Sequence, residues 1–308
     1  MIADKLRIIS RESPLAMWQA RHVRERLCAI HAGLKVEIIG VSTEADRFLD
    51  RSLDQLGGKG AFVKELEQAL LEDRADLAVH SMKDVTIDLP EGLRLAAILE
   101  REDCRDAFVS PRHQTLGQLP QGARIGTSSL RRRCQLAQLR PDLEILEIRG
   151  NVGTRLRKLD AGEYDALVLA AAGLLRLGLT DSIRGYLPVE TLLPAIGQGA
   201  LGLETRADDS VVLDLIQPLD HPQTHTCVIA ERALSRRLNG GCHAPVAALA
   251  TCDGNELSLR ALVGSLDGRE ILRASISGPR DQAVALGEAV GADLIGQGAD
   301  RILSAVPR

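Results

Sequence analysis

The chain has 308 residues, of which 45% are hydrophobic and 26% charged, with a formal net charge of −4. That length fits two or three domains with a sizeable core, and the composition excludes a disordered or collagen-like chain. With only 2% aromatic residues, the core must be aliphatic, and a base-stacking nucleic-acid surface is not expected.

Short apolar runs predict buried strands at 6–10, 36–42, 77–81, 93–99, 145–148 and 166–170. Between them, Ala16, Ala20, Val23, Leu27 and Ile30 recur at helical spacing, and Phe62, Leu66 and Leu70 repeat every fourth residue. This alternation predicts an α/β architecture with mostly parallel sheet. The weakly periodic stretch 43–60 ends in Gly57-Gly58-Lys59-Gly60 and reads as a mobile loop over a site. Two joints, Glu100-Arg101-Glu102-Asp103 and Pro194–Gly199, predict two domains linked by a double hinge, the first completed after the second joint. Gly197-Gln198-Gly199-Ala200-Leu201-Gly202 matches a dinucleotide fingerprint only as a string, because it opens no helix after a strand. From residue 222 the pattern changes. A helix over 222–238 opens with Pro222, and strands at 257–264 and 271–277 are joined by Asp267-Gly268. A helix carrying Ala283, Leu286, Val290 and Leu294 then completes a small α+β domain. The expected domains are 1–99 with 200–217, 105–193, and 220–308.

Charge is uneven along the chain. Residues 121–160 hold nine Arg or Lys against four Asp or Glu, which points to a local anion site, whereas the overall balance gives no reason to expect nucleic acid or an anionic membrane. The six cysteines (Cys28, Cys104, Cys134, Cys227, Cys242 and Cys252) have no CxxC spacing, so neither a zinc site nor a disulfide framework is expected. His221 and His225 are four apart but have no evident acidic or thiol partner, and read as structural. The N-terminus enters a strand pattern at once, leaving no signal or transit peptide, and no apolar run nears ~18 residues. A cytoplasmic chain with reduced thiols is the expectation.

Three strand-to-helix junctions carry hydroxyl or amide caps beside arginine: Ser10-Arg11-Glu12-Ser13-Pro14, Gly126-Thr127-Ser128-Ser129-Leu130-Arg131-Arg132, and Arg149-Gly150-Asn151-Val152-Gly153-Thr154-Arg155. Each either merely caps a helix or offers N–H groups and positive charge to a carboxylate or phosphate. Charge-assisted bonds to such an anion are worth about 1.5–3 kcal/mol each. His80-Ser81-Met82-Lys83-Asp84 follows a strand, where open α/β sheets bind ligands. Asp84 reads either as a cap or surface ion pair, or as a carboxylate that moves a proton or steadies a developing cation. Asn239-Gly240-Gly241-Cys242-His243-Ala244-Pro245 makes an exposed turn, so Cys242 is an idle loop thiol, a nucleophile or a covalent attachment point.

Taken together, these motifs, with Ser13-Pro14-Leu15-Ala16, Gly57-Gly58-Lys59-Gly60, Gly197-Gln198-Gly199 and Gly240-Gly241-Cys242, resemble the porphobilinogen deaminase (hydroxymethylbilane synthase) family in content and order. The resemblance runs from residue 6 to 245 and is loose over the last ~60 residues. It departs from the family pattern at Glu44, at Ala45 and at Thr86, where the family usually has proline.

The resemblance implies two domains similar to periplasmic binding proteins, a cleft between them, and a small third domain. It implies that Cys242 holds a dipyrromethane cofactor through a thioether. Four porphobilinogen molecules would join head to tail on that primer, releasing ammonia, before hydrolysis frees the linear tetrapyrrole. Asp84 would stabilise the cationic azafulvene formed as ammonia leaves. Arg11, Lys83, Arg131, Arg132, Arg149, Arg155 and Arg176 would bind the acetate and propionate arms. Ser13, Thr127, Ser128, Ser129, Gly150 and Gln198 would assist them, and Lys59 and Phe62 would belong to the cleft and its loop. No metal is implied, and a monomer is expected. Two other readings stand beside this one: a non-catalytic polycarboxylate-binding module, and a thiol hydrolase using Cys242 with His80 as a distant base.

Overall fold

The computed structural model describes residues 5–42, 63–239 and 244–306. The chain runs β1 (Lys5–Arg11), α1 (Pro14–Ile30), β2 (Lys35–Val41), α2 (Lys64–Leu71), β3 (Leu77–Ser81) and β4 (Leu93–Ile98). Next come β5 (Asp106–Val109), β6 (Arg124–Gly126), α3 (Leu130–Leu139), β7 (Glu144–Leu146), α4 (Val152–Asp160), β8 (Ala166–Ala170), α5 (Ala171–Arg176) and β9 (Gly185–Leu187). It continues with β10 (Leu201–Arg206), α6 (Ser210–Ile216) and α7 (Pro222–Arg237). It ends with β11 (Val246–Asp253), β12 (Glu256–Gly264), β13 (Ile271–Pro279), α8 (Ala283–Gly296) and α9 (Ala299–Ser304). These elements fall into two compact units, Met1–Arg101 with Ala200–His225, and Glu102–Gly199 with Thr226–Arg308.

The first unit is built on a five-stranded sheet ordered β2-β1-β3-β10-β4. β1 runs parallel to β2 and β3, whereas β10 runs antiparallel to β3 and β4. The sheet is therefore mixed, not mostly parallel. The reason is the path of the chain: it leaves after Ile98 and re-enters at Leu201, beside the ends of β3 and β4, so the returning strand must run back against both. Successive residues serve opposite faces. Ile8, Leu77, Val79 and Leu203 pack with Ala20, Val23 and Leu27 of α1, while Ile9 and Ala78 pack with Leu66 and Leu70 of α2. Burial on both faces explains why Ile8 and Ile9 stand together in β1 and why β3 opens with the apolar run Leu77-Ala78-Val79. Ser13 caps α1 by accepting from the Ala16 amide at 3.3 Å, and Pro14 takes the first turn. Ile30, expected on the buried face, ends the helix and is 43% exposed.

The second unit repeats that plan in a sheet ordered β7-β6-β8-β5-β9, with β6 parallel to β7 and β8, and β5 antiparallel to β8 and β9. It also holds an antiparallel meander, β11-β12-β13. The expected hairpin is present, with Gly268 in the left-handed region at φ +71° and the Ser265 amide donating to the Glu270 carbonyl. Leu286, Val290 and Leu294 of α8 pack with Leu257, Leu259 and Ala261 of β12 and with Ala230 and Leu234 of α7. The helices meet backbone to backbone: a Cβ at Gly287 would lie 2.2 Å from the Ala230 carbonyl oxygen. Cys227 and Cys252 approach to 3.5 Å between sulfurs, a thiol contact without a disulfide. No helix of the described residues is long and apolar enough to cross a membrane.

Candidate functional site

In the first unit, the loop after β3 and the start of α1 enclose a cavity of about 60 Å³ lined by Arg11, Ser13, Gln19, His80, Ser81 and Asp84. The geometry follows from the sheet. β1 and β3 are parallel neighbours, so their carboxyl ends emerge side by side, and the loops beyond them share one space. Gln19, buried on α1, donates to the Ser81 hydroxyl at 2.8 Å, and the Ser10 hydroxyl donates to the Ala16 carbonyl at 3.1 Å. These bonds tie the helix start to the two strand ends. Lys83 and Asp84 are half-buried on the short 3-10 turn Met82–Asp84. At Thr86, where the resemblance departs, the hydroxyl donates to the Asp88 carbonyl at 2.9 Å. Lys59 and Phe62 lie outside the described residues, as do Glu44, Ala45 and Cys242.

The second unit centres its cations on a group that sequence reasoning missed. Asp106, wholly buried at the start of β5, accepts from Arg131 Nη1 at 2.8 Å and from Arg132 Nη2 at 2.7 Å. Gln198 Nε2 donates to the same carboxylate at 2.9 Å and to the Cys104 carbonyl at 2.7 Å. Burial opposes ionisation of Asp106, but the two guanidiniums outweigh it and hold the carboxyl well below the usual range. Ser129 caps α3 by accepting from the Arg132 amide at 3.4 Å, and the Thr127 hydroxyl accepts from the Ser129 amide at 3.2 Å. Ser128 between them is exposed. The expected junction thus forms, with α3 aiming its first two arginines inward and Arg133 outward.

The remaining arginines sit nearby in the chain but on other partners. Arg176 is buried and donates to the Gly199 carbonyl at 2.6 Å, and burial pushes its pKa down to about 10. Arg155 Nε donates to the Gly150 carbonyl at 2.7 Å, and Arg149 pairs with Glu147. Asn151 caps α4 by accepting from the Thr154 amide at 3.0 Å. Gly150 has φ +108°, and a Cβ there would meet Thr154 Cγ2 at 2.7 Å, so the turn requires glycine. Much of the basic island is therefore internally paired: Arg124 faces Asp165 and Arg140 faces Asp142, besides the arginines on Asp106 and Glu147.

Models of two domains match the chain in succession: the dipyrromethane cofactor-binding domain of porphobilinogen deaminase over residues 6–214, and the C-terminal domain of porphobilinogen deaminase over residues 225–296. The chain belongs to the porphobilinogen deaminase family. It thus carries that family's dipyrromethane cofactor-binding domain, falls among the transferases of tetrapyrrole biosynthesis, and acts on a small-molecule substrate. Similar solved structures include a nutrient-binding protein from Burkholderia cenocepacia bound to methionine, with 16% identity, 71% of this chain and 93% of that one covered, and a TM-score of 0.45. A periplasmic substrate-binding protein of an ABC transporter from Coxiella burnetii is 16% identical, with 74% and 96% covered and a TM-score of 0.42.

The residues fit an acidic dipyrrole. Nε of Arg131 and Nε of Arg132 are buried and have no acceptor among the described residues. A buried donor left unmet costs about 1–3 kcal/mol, more when charged, and a carboxylate arm is the acceptor that would satisfy it. The family's dipyrromethane brings such arms.

Sequence reasoning also missed Glu67, buried on α2, and Glu204, buried on β10. A signal existed for Asp106 and Glu204: each is a carboxylate inside a short apolar strand, where burial demands a partner. Glu204 Oε2 lies 2.8 Å from His80 Nε2, in a hydrogen bond whose donor depends on the histidine tautomer. His225, read as lacking an acidic partner, lies 2.6 Å from Asp220, whose carboxylate also accepts from the Ile98 amide at 2.7 Å. Among the described residues no cluster of metal-binding side chains forms.

Proposed function

We propose that this chain is a porphobilinogen deaminase that joins four porphobilinogen molecules head to tail and then releases the linear tetrapyrrole by hydrolysis. The observation that carries the reading is the placement of the Asp84 carboxylate in one cavity with Arg11 and Ser13. An ammonia molecule leaving the substrate's aminomethyl group takes the bonding pair, and the pyrrole is left cationic. A fixed carboxylate in a partly closed site stabilises that charge as it develops, which is worth about 10²–10³ in rate for one such group. Arg11 and the Ser13 hydroxyl would hold the ring's acidic arm beside it, so charge is neutralised at the arm and opposed at the ring.

Dipyrromethane, when bound, supplies the pyrrole carbon to which the first substrate is joined. Cys242 is its attachment point, and Arg131, Arg132, Arg149, Arg155 and Arg176 hold acetate and propionate arms, with Lys83 as a further cation. Thr127, Ser128, Ser129, Gly150 and Gln198 assist through hydroxyls, a backbone turn and the brace on Asp106. Lys59 and Phe62, which precede α2 in the chain, contribute to substrate binding. The third domain spans 220–308 and carries Cys242, while 1–99 with 200–217 and 105–193 make the other two. The protein works as a cytoplasmic monomer.

Asp84→Asn tests the assignment. The variant is expected to bind porphobilinogen with little change in affinity and to lose ammonia release by 10² or more. Turnover within twofold of the parent would contradict the role given to Asp84.

A further inference from the structure

Behind the Asp84 cavity lies a cluster of charges that the reading above leaves unused. His80 lines the cavity and bonds Glu204 at 2.8 Å across the β3–β10 pair. Glu67 approaches from α2, which packs over β1, β3, β4 and β10. All three side chains are buried, Glu204 completely. Oε1 of Glu67 and Oε1 of Glu204 are both buried without a hydrogen-bond partner among the described residues. The surroundings are apolar, with Ile9, Leu66, Leu70 and Ala78 forming the layer between α2 and the sheet.

We propose that Glu67, His80 and Glu204 form a buried charge-setting cluster in which Glu67 takes up and gives up one proton, and so sets how strongly the neighbouring cavity favours a cation. The proposal rests on the role of Asp84 given above. When Glu67 loses its proton, the cluster becomes more negative by one unit. The cation formed as ammonia leaves is then stabilised from behind as well as by Asp84. Burial, reinforced by Glu204, pushes the Glu67 carboxyl up to about 7, while His80 opposes that rise.

Other charges near α2 are already engaged or lie at its edge. From β1, Arg7 is bound to Asp73 and Asp76, and Arg11 lines the cavity. From β10, Arg206 bonds Asp76, Asp209 and the Leu70 carbonyl. Arg94 of β4 is exposed, and Lys64 and Glu65 stand on α2 itself. No arginine or lysine among the described residues is bonded to Glu67 or Glu204, so the cluster has no fixed positive charge in contact to hold both carboxylates ionised. Glu67 and Glu204 are not among the residues that line the cavity; they act through the field at the site and are positioning residues.

The test compares the parent enzyme with Glu67→Gln, which keeps shape and removes the titration. In the parent, kcat is expected to rise about tenfold through a single step near pH 7, the size of effect that one partly screened charge at this range produces. Glu67→Gln should lose that step while retaining turnover near the low-pH plateau. Independently, infrared difference titration of the parent should show the carbonyl stretch of a buried protonated carboxyl fading near pH 7, and the variant should lack that band. A parent without such a band above pH 5, or a Glu67→Gln variant that keeps the step, overturns the proposal. If Glu67→Gln does not fold, Glu204→Gln reads the same infrared band, shifted to lower pH by removal of the neighbouring charge; an unshifted band also overturns it. Failure of the parent to release ammonia from porphobilinogen would instead strike the enzymatic reading, because the infrared result stands apart from activity.

Discussion

Arg131 Nη1 lies 2.8 Å from Asp106 Oδ2, and both groups are buried. With Arg132 on the other carboxylate oxygen, two cations share one anion, leaving an excess of positive charge and two Nε donors unmet among the described residues. The arrangement is stable enough to fold because Gln198, the Leu193 carbonyl and Asp106 satisfy the remaining contacts. It is also incomplete in a way that a bound carboxylate would complete.

Asp106→Asn should therefore cost more than a lost hydrogen bond. The variant keeps the shape but leaves two buried guanidiniums without an anion. Breaking a buried pair from one side costs about 3–5 kcal/mol. Urea unfolding is expected to show a loss of that size, and a change below 1 kcal/mol would mean that the arginines escape to water.

Gly287→Ala sets two known effects against each other. Alanine favours helix over glycine by about 1 kcal/mol. Here its Cβ would fall 2.2 Å from the Ala230 carbonyl oxygen and 2.8 Å from Ala233 Cβ. Backbone must shift, and overpacking of this kind costs about 1–3 kcal/mol or more. A lowered midpoint in thermal unfolding is expected, and a raised one would show that α7 and α8 are not in close contact.

Glu67 gives a dependence of stability on pH with a definite sign. Its folded pKa is raised from 4.5 to about 7, so between those values the folded chain holds a proton that the unfolded chain has lost. Stability from this source is complete below about pH 4.5 and is lost as pH rises through 7, by on the order of 3 kcal/mol. The difference in unfolding free energy between the parent and Glu67→Gln should follow that course across pH 4.5–7.5. A flat difference would show that Glu67 is ionised in the folded state throughout.

Much of the first unit was legible because β1 and β3 bury residues on both faces and helix α1 has a clear cap and period. Ser13, Pro14 and the run 77–81 carry their structure locally. Of the elements that escaped, β5, β6, β9 and β10 are short or carry charge, as Asp106 and Glu204 do, whereas β11 is rich in alanine, which favours helix as readily as strand. Their pairing is decided by distant chain, and no local period announces it. The direction of β10 is likewise a consequence of where the chain re-enters the sheet. At the site, the arginine-bearing junctions were visible as caps, but their partners were not. Asp106 is separated from Arg131 by 25 residues, and Glu204 from His80 by 124, so only the fold brings them together.

The intact mass of the purified protein tests the central claim most directly. After expression in a host that makes porphobilinogen, the parent should be heavier than its polypeptide by one dipyrromethane, and Cys242→Ser should have the mass of the polypeptide alone. A parent at the bare polypeptide mass, or a Cys242→Ser variant that keeps the added mass, would contradict it.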